Sequence, residues 1–512
     1  VFARLPRETV AFVSALILCF AAVARGQTVS DVPQLLDAVA NAQPGATITL
    51  APGTYELSSS LQPTVPMTIR GSGAGTTVLR SAPSWQADFS TKPDDDTDFR
   101  TVDRGSYLVD LGSGVRNMTF EHMTLSGPTL HGGIYGDDAD GIQLRNLELN
   151  DFGYSGVRLF RTADAVIRDN NFVDAGGRVA NATGGAMFLT FFRDGNISGN
   201  RITKTGDRNL FGVKGRQFRD TRIHHNTIKT SFAVELPFEN DSNVEIDHNF
   251  LGGTVSVPKF EGGPANPVGG SFRIHHNYAN NSYAIEGPRN GLEIDHNLFD
   301  FDQADDRGNL ITVFGSSSQN VQPGPISFHD NNVKNPGRGI FWSDLPHDEL
   351  SFVRNHIIAD ETTPSQFPQG LFGFRPAKGD AETDFATIDI LDNIIEVLGE
   401  ARPLLRNDPS YDANIAGNIL VNLSDLDRID NPATGNAPGP DEVLRFRVGA
   451  DGEYLVSGFD LIKLGILRDN AGGGNTAGPV LGGGALSAAI VPEPAMATLF
   501  ASSVLLLCRR RV

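Results

Sequence analysis

The sequence predicts an all-β solenoid, a stack of coils built from short parallel strands. Three observations carry the prediction. A pattern of an apolar residue, two variable residues and an asparagine recurs ten times between Ile167 and Asn418. Successive asparagines stand 30, 26, 23, 28, 20 and 34 residues apart from Asn170 to Asn331, which are coil lengths. Short alternating apolar segments and turn residues fill the intervals, with no amphipathic helix between them.

Taken in order, the chain opens with Arg4 and Arg7 before an apolar run from Val10 to Ala24 that ends in Ala22-Val23-Ala24. A basic flank, a short apolar stretch and a small-residue exit make residues 1–24 a secretory signal peptide. Cys19 follows the bulky Leu18, which argues against lipid attachment there. Val32, Leu35, Leu36 and Val39 then form one apolar helical face, as expected of a short helix that plugs the open end of a solenoid. Residues 28–468 form the solenoid domain. Ser81 to Arg104, with Asp94, Asp95, Asp96 and Asp98, is an excursion from a coil and is read as a solvated loop. After Asn470 the chain becomes Gly-rich through Leu486, giving a flexible linker over 469–490. Residues 491–512 hold Val491-Pro492-Glu493-Pro494, an apolar stretch from Ala495 to Cys508 and Arg509-Arg510-Arg511.

The repeats read Ile167-Arg168-Asp169-Asn170, Ile197-Ser198-Gly199-Asn200, Ile223-His224-His225-Asn226, Ile246-Asp247-His248-Asn249, Ile274-His275-His276-Asn277 and Ile294-Asp295-His296-Asn297. They continue through Asn331, Asn355, Asn393 and Asn418. This pattern resembles the right-handed parallel β-helix family, and the resemblance implies turn asparagines stacked into hydrogen-bonded ladders. The string Pro44-Gly45-Ala46-Thr47-Ile48-Thr49-Leu50-Ala51-Pro52-Gly53-Thr54-Tyr55 resembles the first coil of pectate-lyase-like β-helices, with the capping helix before it. The C-terminal segment resembles the PEP-CTERM sorting signal of bacterial envelope proteins. It implies an exosortase as processing partner beside signal peptidase, a transient membrane anchor, and a secreted or cell-envelope destination.

Composition bounds the function. The 42 basic and 61 acidic residues give a net charge of −19, which excludes nucleic-acid binding, and removal of both terminal segments would bring it to −23. Both cysteines, Cys19 and Cys508, lie in those segments, so thiol catalysis and cysteine metal sites are excluded. A monomer is expected. Between Arg201 and Lys229, eight basic residues face only Asp207 and Asp220. Such an island either docks an anionic polymer or pairs with acids of neighbouring coils.

His225, His248, His276 and His296 each precede a turn asparagine and should stack about 4.8 Å apart. Asp169, Gly199, Asp330 and Asp392 hold the same position in other coils, so the file is read as turn structure rather than as a metal site.

The functional wall is sought in the strand after each turn. Aligning coils on their asparagines places Phe211-Gly212-Val213-Lys214, Phe232-Ala233-Val234-Glu235, Val255-Ser256-Val257-Pro258-Lys259 and Tyr283-Ala284-Ile285-Glu286 on successive rungs. Arg216, Glu239, Glu261 and Arg289 follow the strand ends, and later rungs bring Phe314, Trp342, Asp344, Arg375 and Lys378. Aromatic faces stack on sugar rings, cations neutralise uronates, and carboxylates bind hydroxyls or Ca²⁺. The partner so defined is a polysaccharide.

The leading expectation is a polysaccharide lyase acting on a uronate polymer by β-elimination. Some β-helix lyases use a lysine base with an arginine and glutamates near Ca²⁺, and this wall resembles theirs in residue types. The resemblance implies Lys214 or Lys259 as base and Arg289 as acid or carboxylate clamp. Arg216, Glu235, Glu239, Glu261, Glu286, Trp342, Asp344 and Arg375 would then bind substrate, with Ca²⁺ as the cofactor the glutamates could hold. A lysine base must shed its proton, and its pKa is about 10.4 in the open. Two alternatives stand beside it: a glycoside hydrolase using a pair of glutamates, and a non-catalytic exopolysaccharide-binding envelope protein.

Overall fold

A computed structural model describes residues 26–93, 102–179, 184–206, 208–236, 242–257, 272–285, 291–301, 309–313, 325–336, 339–343, 349–359, 370–374, 388–397, 403–404, 413–421 and 437–438. All belong to the unit Val1–Leu444. The signal, linker and sorting segments and Asp94 to Asp96 and Asp98 lie outside the described residues.

The chain winds as a parallel β-helix. Each full coil contributes a strand to each of three parallel ladders. In one coil these are Phe211–Arg216, Arg219–His224 and Thr227–Lys229. The ladder containing Phe211–Arg216 is an 11-stranded sheet running from Tyr107–Ser113 to Phe372–Phe374. The other two belong to a 28-stranded sheet. Here the ladder of Phe211–Arg216 is called the third, that of Arg219–His224 the first, and that of Thr227–Lys229 the second.

The asparagine turn joins the first ladder to the second and fixes the register. The residue before the asparagine turns the chain with a positive φ: 59° at Asp169, 56° at His225, 54° at His248, His276 and His296, and 55° at Asp330 and Arg354. Short polar side chains and glycine tolerate that left-handed conformation best. The asparagine side chain then points inward. Asn226 Nδ2 donates to Asn249 Oδ1 at 2.9 Å, Asn249 to Asn277 and Asn277 to Asn297 at 3.0 Å, and the chain of bonds runs from Asn170 to Asn418. The expected asparagine ladder is present with every predicted member.

Three residues before each asparagine lies the core. Ile197, Ile223, Ile246, Ile274 and Ile294 pair in register and are fully buried, continued by Phe328 and Phe352. One continuous interior column results, since every coil covers the apolar face of its neighbour.

The predicted capping helix spans Val32–Ala40, with Asp31 as N-cap accepting from Gln34 N at 2.9 Å. It packs on the first strands, Gln27–Val29 and Ala46–Leu50. Its buried face is Leu35, Ala38 and Val39, whereas Leu36 is 43% exposed. The expected face is therefore corrected by one position: 100° per residue turns Leu36 away from the plugged end and brings Ala38 onto it.

Candidate functional site

The outward face of the third ladder carries a column of polar and aromatic side chains that reads in register Asp110, Tyr135, Arg158, Phe188, Lys214, Glu235 and Ser256. The backbone register continues through residues 284 and 312 to Trp342 and Gly373. Strand alternation is the cause: these positions fall between residues committed to the core, such as Val157, Met187, Val213 and Val234.

Lys214 is the centre of this wall. Its side chain is 4% exposed and its Nζ lies 3.5 Å from Glu235 Oε1, the neighbour one coil on. The ammonium stands 5.0 Å from the centroid of Phe188 and 5.2 Å from that of Phe211. Phe211 stacks on Phe232 at 4.5 Å with 7° between planes. Toward the N-terminal end, Arg158 is fully buried, with its guanidinium carbon 3.7 Å from the Phe160 and Phe188 centroids. Its Nη1 donates to Thr190 Oγ1 at 2.9 Å and to Phe188 O at 3.2 Å. Tyr135 lies next, 5.5 Å from Tyr107, and burial pushes its phenol pKa up. Arg104 clamps Asp110, and Arg161 clamps Asp137. The wall thus alternates cations with aromatic faces in buried surroundings, where low dielectric strengthens such contacts.

The predicted site residues distribute as follows. Lys214, Glu235 and Trp342 share the column, and Arg216 stands two residues beyond Lys214, opposite Thr190. Trp342 is five rungs from Lys214, about 24 Å at strand spacing, so the two do not share one sugar subsite. Lys259, Arg289, Glu239, Glu261, Glu286, Asp344 and Arg375 lie outside the described residues, as do Phe314 and Lys378. The expected rungs hold for Phe211 opposite Phe232 and Val255 opposite Tyr283. Between them a bulge at Phe232 to Val234 shifts the register, and Ser256 becomes the partner of Glu235.

Of the basic island, three members pair with acids. Lys214 meets Glu235, Arg208 reaches Asp151 at 3.2 Å, Arg222 binds Asp247 at 2.6 Å, and Arg222 also lies 3.4 Å from Glu245. Arg208 also stands 3.9 Å from Asp174. Lys204 instead donates to Arg208 O and Ser231 Oγ. Of the two expectations for the island, pairing with neighbouring coils describes these residues.

Sequence inspection passed over Tyr135, Arg158 and Phe188, which precede the searched rungs. Their signal was the alternation in Ile134-Tyr135, Val157-Arg158 and Met187-Phe188, each followed by a buried or core residue. It also passed over the residues two and four before each asparagine, where the first ladder builds a lattice of Arg, Glu, His and Asp. The histidine file itself stacks as expected: His225 on His248 and His248 on His276 at 5.1 Å, and His276 on His296 at 5.0 Å.

Comparison with known proteins agrees with the architecture. The family described as right handed beta helix region matches residues 108–257. The fold is a right-handed parallel β-helix. No curated protein sequence matches the chain. Among solved structures, an alginate lyase from Paenibacillus sp. str. FPU-7 is 14% identical, over 74% of this chain and 97% of that one, with a TM-score of 0.33. The catalytic unit of a GH87 α-1,3-glucanase from Streptomyces thermodiastaticus strain HF3-3 is 14% identical, over 76% and 69%, with a TM-score of 0.46. The mannuronan C-5 epimerase AlgE6 A-module of Azotobacter vinelandii is 14% identical, over 82% and 98%, with a TM-score of 0.41.

Proposed function

We propose that this chain is an exported protein that cleaves a uronate-containing polysaccharide by β-elimination on the outward face of its third ladder. One observation carries the proposal: the Lys214 amine, beside Glu235 and between the rings of Phe188 and Phe211. Aromatic faces seat sugar rings, and a guanidinium such as Arg216 pairs with the C6 carboxylate.

In the reaction Lys214, as the free amine, takes the C5 proton. The electron pair forms the C4–C5 double bond, the C4–O bond breaks, and the leaving oxygen receives a proton from an acid. No water, oxidant or reductant is consumed. Lys259 is the alternative base and Arg289 the proposed acid or carboxylate clamp. Glu235, Glu239 and Glu286 are the oxygen ligands that would suit Ca²⁺, and Glu261, Trp342, Asp344 and Arg375 would extend the binding surface. Export through the secretory route and exosortase processing at residues 491–512 belong to the same proposal.

The test is to incubate the full chain with alginate, pectate and chondroitin, with and without Ca²⁺, while recording absorbance of the unsaturated uronate. A rise that Lys214→Ala abolishes supports elimination. New reducing ends without that absorbance would move the chemistry to a hydrolase built around Glu235. Binding with no product would make the wall a docking surface.

A further inference from the structure

The outward face of the first ladder carries two columns in register. One reads Asn196, Arg222, Glu245, Arg273, Glu293; the other reads Ser198, His224, Asp247, His275, Asp295, His329. Acid and base rungs alternate, so each acid rung meets a histidine one coil on. Two triads result, Glu245 with Asp247 and His275, and Glu293 with Asp295 and His329. Within each, one ligand atom per residue lies within 4.8 Å of the others.

The second triad contains a conflict of acceptors. His329 Nδ1 lies 2.8 Å from Asp330 Oδ2, and its Nε2 lies 3.1 Å from Glu293 Oε1. A neutral imidazole has one N–H and cannot donate to both. Asp330 is held as an anion by Arg354, at 2.9 Å from Nε and 2.5 Å from Nη2. It therefore fixes the proton on Nδ1 and aims the Nε2 lone pair at a second carboxylate. The Nε2 lone pair and the Glu293 oxygen then face one another across 3.1 Å, a gap that a second proton or a metal ion fills.

The remaining valences suit a metal ion. Asp295, fully buried, accepts from Arg273 Nε at 2.7 Å, Arg273 Nη2 at 2.6 Å and His296 Nδ1 at 2.7 Å, three of about four lone-pair sites of a carboxylate. Arg273 also stands 3.4 Å from Glu293. Three carboxylates against Arg273 and Arg354 leave one net negative charge. Glu293 is 44% exposed and opens the site to solvent.

We propose that Glu293, Asp295 and His329 bind a divalent transition-metal ion of the Zn²⁺ type, with Asp330 orienting His329 from outside the ligand set. One imidazole and two carboxylates suit Zn²⁺, whereas Ca²⁺ and Mg²⁺ take oxygen ligands. A carboxylate on the far nitrogen of a ligating histidine fixes its tautomer and raises its basicity.

The first triad is a weaker copy, and the reason is on its far nitrogen. His275 Nδ1 meets His276 Nδ1 at 2.8 Å instead of a carboxylate. His276 can donate there, which leaves His275 Nε2–H to bond Glu245 Oε1 at 2.7 Å with no conflict. Two coils earlier Asn196 stands in place of the glutamate, and its Oδ1 and His224 Nε2 are both buried without a hydrogen-bond partner. That rung lacks the carboxylate a metal needs.

Full chain, stripped with chelator, is titrated with Zn²⁺ by calorimetry and with Co²⁺ by absorption spectroscopy. The expected result is one tight equivalent and a second weaker by about 10- to 100-fold. His329→Ala and Glu293→Gln each remove the tight equivalent, and Asp330→Asn weakens it by about 10- to 100-fold while circular dichroism stays native. Excess Ca²⁺ does not compete. The proposal is overturned if the native chain takes up no Zn²⁺, which would assign the gap to a second proton on His329, or if Glu293→Gln and Asp330→Asn both bind like the native chain.

Discussion

Arg222 reaches one coil forward and clamps the Asp247 carboxylate with two hydrogen bonds, Nε to Oδ1 at 2.7 Å and Nη2 to Oδ2 at 2.6 Å. Arg273 repeats the grip on Asp295 two coils later, at 2.7 and 2.6 Å. Burial raises the Asp247 pKa, and the hydrogen bonds from Arg222 and His248 outweigh it, so the carboxyl stays below its ordinary value. The pairs join adjacent coils on their outer face, where backbone ladders alone would leave the side chains independent.

Breaking that clamp is expected to be costly. Arg222→Ala leaves a buried carboxylate without its guanidinium and should destabilise by about 3 kcal/mol, the low end for a severed buried pair. The low end applies because Arg222 is 44% exposed, where solvent screens the charge. Urea unfolding of Arg222→Ala and of the double variant Arg222→Met, Asp247→Leu checks this, and the double variant should recover much of the loss.

The asparagine ladder should be weakest to a cut in its middle. Asn277→Ala removes bonds to Asn297 Oδ1, Ile246 O and His275 O and leaves Asn249 N and Nδ2 without their acceptor. Two stranded donors cost about 2–4 kcal/mol. In a solenoid the coils on either side then lose their coupling. Thermal unfolding of Asn277→Ala should broaden or split into two transitions; a single sharp transition at the native midpoint would refute this.

Stability should decline on mild acidification. Burial lowers the pKa of His356 and of His131, whose Nε2 meets Asp88 O at 3.0 Å. A histidine held neutral in the folded state binds its proton more readily unfolded. The stability it contributes is therefore complete above about 6.5, the ordinary value, and is lost as pH falls below it toward the lowered folded value. Chemical denaturation at pH 7.5 and 5.5 should show the drop, and His356→Gln should reduce it, leaving the share of His131.

At the wall, Glu235→Gln should destabilise by about 1–3 kcal/mol, since it alters the partner that the buried Lys214 Nζ meets at 3.5 Å. If Lys214 acts as base, the same substitution should change turnover on the cleaved polymer as well as the urea midpoint. Glu56→Gln, on an exposed pair with Arg80, should leave both within about 0.5 kcal/mol and is the control.

Much of the fold was legible because it is local. Once Asn226 marks a turn, Ile223 must face the core and His225 must take the left-handed corner, whatever the rest of the chain does. The stacked histidines and the asparagine ladder follow from the same offset repeated. Lys214, Glu235 and Trp342 were likewise placed on one wall by strand alternation.

What the sequence by itself determined is therefore the coil, its three-residue step from core apolar to asparagine, and the outward set of each strand. Tertiary structure alone decided which outward residues meet. The segment from turn to third ladder varies, Gly185 following Asn170 by 15 residues and Phe232 following Asn226 by 6. A bulge at Phe232 to Val234 then sets Glu235 against Ser256. The clamp of Arg222 on Asp247 and the approach of Glu293 to His329 arise between coils, 25 and 36 residues apart in sequence. Their chemistry exists only once the backbone ladders stack coil on coil at about 4.8 Å, bringing side chains of distant repeats within hydrogen-bond reach.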